Sequence, residues 1–165
     1  MDDLVRQQVT DHDILEISLK IEREGHDFYQ KLAEMIPVPE IKDFLSQMAN
    51  EEVKHEKQFV KMMTDKSGKE YGWENKPDVK STIQKIFSTD IFPELEGAES
   101  SNQQFSTIAE AIDFAIEAEM ISMEFYRLLG EYCENLEAKT VLVMLEKAEI
   151  EHLNFMKNLR KKYST

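Results

Sequence analysis

Hydrophobic residues recur every three or four positions along four stretches of the chain, which is the periodicity of amphipathic helices. Thr10 with Asp13 and Thr107 with Glu110 have the spacing of capping boxes, and the stretch IPVP interrupts the periodicity between the first two segments. The pattern predicts four long helices, running from about Asp11 to Met35, Pro39 to Thr64, Thr107 to Cys133 and Leu136 to Lys162.

The region between the second and third predicted helices has a different character. Residues 65–106 contain prolines, two nearby glycines and the polar run SSNQQ. We interpret this region as a long connection with a short helix near Val79 to Phe87. A helix of about 25 residues spans roughly 38 Å, and a connection of this length can recross it. The second and third helices are therefore expected to run parallel.

The chain also contains an internal repeat. A shift of 97 residues aligns its two halves without a gap. Shared helical periodicity would align apolar positions, but it would not align polar residues of the same type. The aligned polar pairs are Glu22 with Glu119, Tyr29 with Tyr126, Glu52 with Glu149 and His55 with His152. We therefore expect one domain over residues 1–165, in which a helical hairpin occurs twice, at 10–64 and at 107–162.

Composition and charge narrow the classes of function. The formal net charge is −13, so nucleic acid and anionic membrane surfaces are poor partners. No apolar run approaches the roughly 18 residues of a membrane span, and the start, MDDLVRQQ, lacks the features of a signal peptide. Cys133 is the single cysteine, which excludes an intrachain disulfide. These features lead us to expect a cytoplasmic protein that contacts neither membrane nor nucleic acid.

The repeated glutamates and histidines fall on the apolar faces of the predicted helices. Positions three, four and seven residues from Glu52 and Glu149 are mostly apolar, and the same holds around Glu22 and Glu119. An isolated buried carboxylate costs several kcal/mol, so four of them need neutralisation. Two divalent cations carry the charge that balances four carboxylates.

One glutamate from each of two helices and a Glu-x-x-His motif from each of two others is the ligand pattern of ferritin-like di-iron carboxylate sites. Mixed carboxylate and imidazole ligation suits iron or manganese. The pattern predicts two iron ions, with manganese or zinc as substitutes, and the small residues Ser18, Gly25, Ala115 and Ser122 leave room beside them. The predicted ligands are Glu22, Glu52, His55, Glu119, Glu149 and His152.

Several polar residues near the predicted ligands have more than one interpretation. Tyr29 and Tyr126 are either core tyrosines with satisfied hydroxyls or catalytic residues that act from just outside the ligand set. His26 lies one turn from Glu22 and is interpreted as a core residue or a partner of a ligand in preference to a seventh ligand. Glu51 and Glu151 are interpreted as solvated residues or as members of surface ion pairs.

The segments IEREGHDFY and ANEEVKHE, with AEMISMEFY and KAEIEHL in the second half, resemble the rubrerythrin branch of the ferritin-like superfamily. The resemblance covers residues 10–162 apart from the connection. It implies an all-α, ferritin-like antiparallel four-helix bundle with a long connection, 65–106, between helices 2 and 3. It also implies Glu22 and Glu119 as terminal ligands, Glu52 and Glu149 as bridging ligands, and His55 and His152 as ligands of one metal each.

The function implied by this resemblance is that of a non-haem di-iron oxidoreductase that reduces hydrogen peroxide or oxygen. Because the sequence has one cysteine where the family's rubredoxin-like domain needs four, electrons are expected from an external donor such as rubredoxin. Ser122 stands where the family tends to carry a further glutamate, so an iron-binding or ferroxidase-like protein is the alternative. A remnant with an empty site is a third interpretation, and a homodimer or higher homo-oligomer is the expected assembly.

Overall fold

The computed structural model describes residues 10–65, 70–74, 76–88 and 107–163, and all regular secondary structure in these residues is helical. The four long helices confirm the predicted segments to within a residue, and the short helix is slightly longer than predicted. Residues 89–106 of the predicted connection lie outside the described residues. The helices are α1 (Asp11–Met35), α2 (Pro39–Thr64), α3 (Pro77–Ser88), α4 (Ile108–Tyr132) and α5 (Leu136–Lys162).

Side-chain hydrogen bonds cap the first residues of α1 and α4. The backbone N–H of Asp13 donates to Thr10 Oγ1 over 3.2 Å, and the backbone N–H of Thr10 donates to Asp13 Oδ2 over 2.8 Å. This reciprocal pair is the predicted capping box of α1. Thr107 Oγ1 accepts from the backbone N–H of Glu110 at the start of α4, over 3.1 Å. Side-chain caps of this kind typically contribute about 1 kcal/mol each.

The helices pack as two hairpins, α1 with α2 and α4 with α5, which meet through α2 and α5 and through α1 and α4. Phe44, near the start of α2, stacks on Phe155, near the end of α5, with ring centroids 4.1 Å apart. Ser18 in the first half of α1 contacts Tyr126 in the second half of α4. Neighbouring helices are therefore antiparallel, α2 and α4 run in the same direction, and the predicted all-α four-helix bundle is confirmed.

Two apolar clusters form the core, one towards each end of the bundle. The first contains Phe59, Trp73 and Phe125, and the second contains Leu45 and Met156. On each long helix the buried charged residues lie between stretches that belong to the two clusters. The bundle therefore holds a polar layer at mid-height, enclosed by apolar side chains above and below.

Residues 70–74, with α3, close one end of the bundle. The carbonyl oxygen of Tyr71 accepts hydrogen bonds from the backbone N–H groups of Glu134 and Asn135, over 2.6 and 3.2 Å. Gly72 has φ +114°, and a Cβ there would lie 2.9 Å from the backbone nitrogen of Glu134, so only glycine fits this turn. Trp73 stacks on Tyr71 with ring centroids 4.5 Å apart. No helix among the described residues is long and apolar enough to cross a membrane.

Candidate metal centre

The six predicted ligands are all buried and gather in the polar layer of the bundle. Their potential ligand atoms form two groups, and within each group all atoms lie within 4.8 Å of one another. We call these groups the His55 position (Glu22, Glu52, His55, Glu149) and the His152 position (Glu52, Glu119, Glu149, His152). Glu52 and Glu149 belong to both positions, which is the arrangement that two bridged metal ions require.

The two shared carboxylates each face both histidines. Glu149 Oε1 lies 3.4 Å from Nδ1 of His55, and its Oε2 lies 3.6 Å from Nδ1 of His152. Glu52 Oε2 lies 3.6 Å from Nδ1 of His55, and its Oε1 lies 2.9 Å from Nδ1 of His152. One oxygen of each carboxylate is therefore directed to each position, as in a bridging ligand.

Buried polar atoms without hydrogen-bond partners test whether these residues suit a metal pair. Such an atom normally costs about 1–3 kcal/mol, more if it is charged, so a group of them calls for a binding partner. Each of the six residues has one, and a metal pair would satisfy all of them. They are Glu22 Oε2, Glu52 Oε1, His55 Nδ1, Glu119 Oε2, Glu149 Oε1 and His152 Nδ1. The donor set fits two divalent ions, although the ligand role of each residue stays a prediction.

Burial and mutual proximity shift the pKa values in the layer. Burial and the neighbouring Glu52 raise the pKa of Glu22 well above its usual value. Burial alone would lower the pKa of His55, but the nearby carboxylates of Glu149, Glu22 and Glu52 raise it to about 12. Burial opposes the charging of His152 too, but contacts with Glu119 and its neighbours raise the pKa of that ring. Without metal, protons on the histidines therefore offset the carboxylate charge, and metal binding must displace them.

The two tyrosines contact the two predicted terminal carboxylates. The hydroxyl of Tyr29 donates to Glu119 Oε1, and the hydroxyl of Tyr126 donates to Glu22 Oε1 over 2.5 Å. Each tyrosine therefore holds a glutamate from the other half of the repeat. Ser18 Oγ lies 3.0 Å from the hydroxyl of Tyr126 and forms a hydrogen bond with it. These contacts support a role in orienting the glutamates, whereas a redox role for either tyrosine stays a prediction.

Glu51 differs from the sequence interpretation, a solvated or surface-paired residue, because its partner is a buried predicted ligand. Its Oε2 lies 2.7 Å from Nε2 of His152, the ring nitrogen that faces away from the carboxylate cluster. Its other oxygen accepts from Gln47 Nε2 over 3.2 Å. The repeat gives no signal for this residue, since Ala148 is its counterpart in the second half. The usable signal is chemical, because metal-bound histidines commonly donate their second ring N–H to a carboxylate.

His26 lies outside both ligand groups. Its Nδ1 is 2.9 Å from the carbonyl oxygen of Ala49, so the ring is hydrogen-bonded to the backbone of α2. This contact agrees with the interpretation of His26 as a core residue in preference to a seventh ligand.

A small cavity adjoins the cluster between α1 and α4. It has a volume of about 30 Å³, and its lining includes Gly25, Glu52, Glu119 and Ser122. A space of this size holds a water-sized molecule. Ser122 Oγ donates to the carbonyl oxygen of Ala118 over 3.0 Å, so its hydroxyl proton is directed to its own helix. The cavity gives a small ligand a place beside the carboxylates on the side opposite the histidine-bearing helices.

Comparison with known proteins agrees with this arrangement. A sequence model of the family described as rubrerythrin matches residues 13–160. A crystal structure from Thermotoga maritima, titled as that of a ferritin-like diiron-carboxylate protein, has 25% sequence identity and a TM-score of 0.68. The match covers 96% of this chain and 98% of the other.

A second structure, of a hypothetical protein from Pyrococcus furiosus, is similar in fold, with 23% identity and a TM-score of 0.66. That match covers 96% of this chain and 92% of the other. No curated protein matches the chain at a significant level.

Proposed function

The chain belongs to the rubrerythrin family, and on that premise we propose that it is a non-haem di-iron oxidoreductase that reduces hydrogen peroxide or oxygen with electrons from an external donor. The observation that carries this proposal is the pair of ligand groups that share Glu52 and Glu149. When bound there, two ferrous ions supply the two electrons that reduce the oxygen–oxygen bond of peroxide.

The protein's own residues determine what can reach such a pair. Glu52 and Glu149 would hold both ions, because each presents one oxygen to each histidine. The cavity of about 30 Å³ beside Gly25 and Ser122 offers room for a small ligand next to the carboxylates. The two enclosing apolar clusters keep bulk water away from the ions. This combination suits the reduction of a small oxidant.

We propose that the electrons come from outside this helical domain. Cys133 is the single cysteine of the sequence, and its buried Sγ donates to the carbonyl oxygen of Asn135. One buried cysteine cannot build a four-cysteine iron site. A reduced rubredoxin is therefore the donor that we would supply first.

The contacts of Ser122 favour a second candidate, an iron-binding or ferroxidase-like protein that takes up, oxidises or buffers iron without efficient peroxidase turnover. A hydroxyl directed to Ala118 gives the cavity no further carboxylate at this position. With fewer carboxylates near the ions, the set of ligands can adjust less when the charge of the ions changes. In this case iron is the substrate of the protein as well as its cofactor.

Stopped-flow absorption of anaerobic di-ferrous protein mixed with peroxide separates the two candidates. A peroxidase is expected to oxidise its site once per peroxide and to repeat the cycle only after reduced rubredoxin is added. The second candidate is expected to oxidise slowly and to gain little from the donor. Rapid repeated turnover with no donor present would contradict the proposal, since it indicates disproportionation of peroxide. Glu151→Ala removes an exposed carboxylate near His152 and serves as a control variant, which should react as the wild type does.

A further inference from the structure

The outer contacts of the two histidines differ, and this difference bears on the order in which metals bind. We propose that Glu51 is a positioning residue for His152 and makes the His152 position the tighter of the two metal positions. This proposal rests on the metal pair of the proposed function. It adds a difference in metal affinity between the two positions, which the ligand pattern alone does not contain.

The contacts of His152 leave little freedom to its ring. Nδ1 faces the cluster, 2.9 Å from Glu52 Oε1, and Nε2 lies 2.7 Å from Glu51 Oε2. Glu51 and Glu52 are consecutive residues of α2, so one short segment of one helix contacts both nitrogens of a ring on α5. Because a carboxylate accepts and does not donate, Glu51 selects the tautomer with its proton on Nε2. That tautomer directs the lone pair of Nδ1 towards the metal.

Glu51 is itself fixed in place. Its side chain is about one-third exposed, and its second oxygen accepts from Gln47, one turn earlier on α2. Oε1 is therefore held by Gln47 and Oε2 is directed to the histidine. A carboxylate held in this way orients the ring and increases the donor strength of the ligating nitrogen.

His55 has no equivalent support among the described residues. Its Nδ1 faces Glu22, Glu52 and Glu149, at 3.5, 3.6 and 3.4 Å. No carboxylate of the described chain contacts its Nε2, and the position equivalent to Glu51 is Ala148. The ring of His55 can therefore rotate or change tautomer at lower cost. Removing such an outer partner typically reduces metal affinity by about 10–100-fold, which is the separation we expect between the two positions.

Titration of the metal-free full chain with Co(II), followed by absorption and calorimetry, tests the inference. The wild-type chain is expected to bind two ions in two resolved steps. Glu51→Ala should weaken the first step by about 10–100-fold and bring the two steps together. Glu51→Gln should retain most of the affinity, because its amide oxygen can accept the same hydrogen bond. Ala148→Glu, which gives His55 the missing carboxylate, should strengthen the second step.

A control variant and two further measurements separate positioning from a general loss of structure. Glu151→Ala removes an exposed carboxylate next to His152 and should leave both steps unchanged. In the Co(II) form, the paramagnetically shifted Nε2–H proton of His152 should be observable in wild type and Glu51→Gln and should exchange rapidly in Glu51→Ala. Melting of the metal-free variants shows whether each is folded.

The outcomes distinguish this inference from the proposed function. A wild-type chain that fails to bind a pair of Co(II) ions overturns both. A wild-type chain that binds two ions, with dissociation constants unchanged in folded Glu51→Ala, overturns the role of Glu51 alone. A loss in Glu51→Gln as large as that in Glu51→Ala would also overturn it, because the hydrogen-bond acceptor is then not the cause.

Discussion

The His55 position and the His152 position contain the same kinds of predicted ligand from the two halves of the repeat, but their outer contacts differ. His152 is supported by Glu51, whereas the equivalent residue beside His55 is Ala148. The surroundings of the tyrosines differ as well. The hydroxyl of Tyr126 contacts both Glu22 and Ser18, whereas the residue equivalent to Ser18 in the second half is Ala115. The ligands are thus alike in the two halves while the residues around them have diverged.

This difference shows which part of the centre tolerates change. Loss of a predicted ligand would leave buried charges unbalanced. In agreement with this cost, each type of predicted ligand is present in both halves of the repeat. Outer residues only adjust the orientation and donor strength of a ligand, so they can differ between halves. The two ions are therefore expected to differ in affinity, although their ligand sets are of the same type.

The largest expected effect comes from residues that the two positions share. Glu149→Ala or Glu52→Ala removes a carboxylate from both positions and should reduce binding from two metals towards one or none. Glu22→Ala removes a ligand from the His55 position alone and should leave one ion bound. Elemental analysis after dialysis measures these stoichiometries. Full retention of two metals in Glu149→Ala would show that the shared carboxylates are not bridges.

Metal binding should stabilise the fold by a large amount. Each ion at 100 times its dissociation constant adds about 2.7 kcal/mol, so two ions should raise the melting temperature by roughly 10 to 20 °C in a chain of this size. Calorimetry with and without Fe(II) or Mn(II) measures the difference. Equal melting temperatures at neutral pH would argue against a metal centre in the bundle.

The pH dependence of this stabilisation follows from His55. Its pKa is raised to about 12 in the metal-free protein, so its ion pairs contribute fully below the unfolded pKa of about 6.5 and are lost as pH rises through about 12. Protons therefore stabilise the metal-free form at neutral and acidic pH and compete with the ions. The gap in melting temperature between loaded and metal-free protein should narrow from pH 8 to pH 5, and a gap that widens would contradict this competition.

Substitution of the two tyrosines should have effects of intermediate size on the free energy of unfolding. Tyr126→Phe leaves an oxygen of Glu22 and the hydroxyl of Ser18 without a partner, whereas Tyr29→Phe affects Glu119 alone. Each buried group left unpaired costs about 1–3 kcal/mol, so Tyr126→Phe should lower the free energy of unfolding more. Urea denaturation of the metal-free proteins measures both values. Repeating the pair in a Ser18→Ala background should remove the difference, and a difference that persists would assign it to another cause.

The smallest expected effect concerns the two residues that face the cavity from equivalent places in the repeat. A Cβ at Gly25 would lie 3.4 Å from Cδ of Glu52, which is a tight but acceptable contact. Gly25→Ala should therefore gain up to about 1 kcal/mol from helix propensity while it reduces the cavity. Its reaction with peroxide should slow with two metals still bound, and Ser122→Ala is the matched control that enlarges the cavity. Equal rates in the two variants would show that ligands reach the ions by another route.

The long helices and the six buried side chains of the polar layer could be predicted from the sequence because both depend on periodic or repeated residues. The spacing of apolar residues marks the faces of α1, α2, α4 and α5, and the alignment of Glu52 and His55 with Glu149 and His152 marks the chemistry. Both signals exist before any tertiary contact is known.

Other features depend on contacts that the sequence does not display. Glu51 has no counterpart in the repeat, and only the packing of α2 against α5 brings it to His152. The turn at Gly72 depends on backbone groups of Glu134 and Asn135 that are distant in the chain. In both cases a residue with weak local signals acquires its role from a neighbour on another element.

Six buried side chains should form one site for two metal ions that share Glu52 and Glu149. Anaerobic Fe(II) titration of the metal-free chain, followed by Mössbauer spectroscopy after oxidation, measures whether they do. We expect two irons per chain that behave as a magnetically coupled pair, because the shared carboxylates would hold them close together. One iron per chain, or two irons that are magnetically independent, would contradict it.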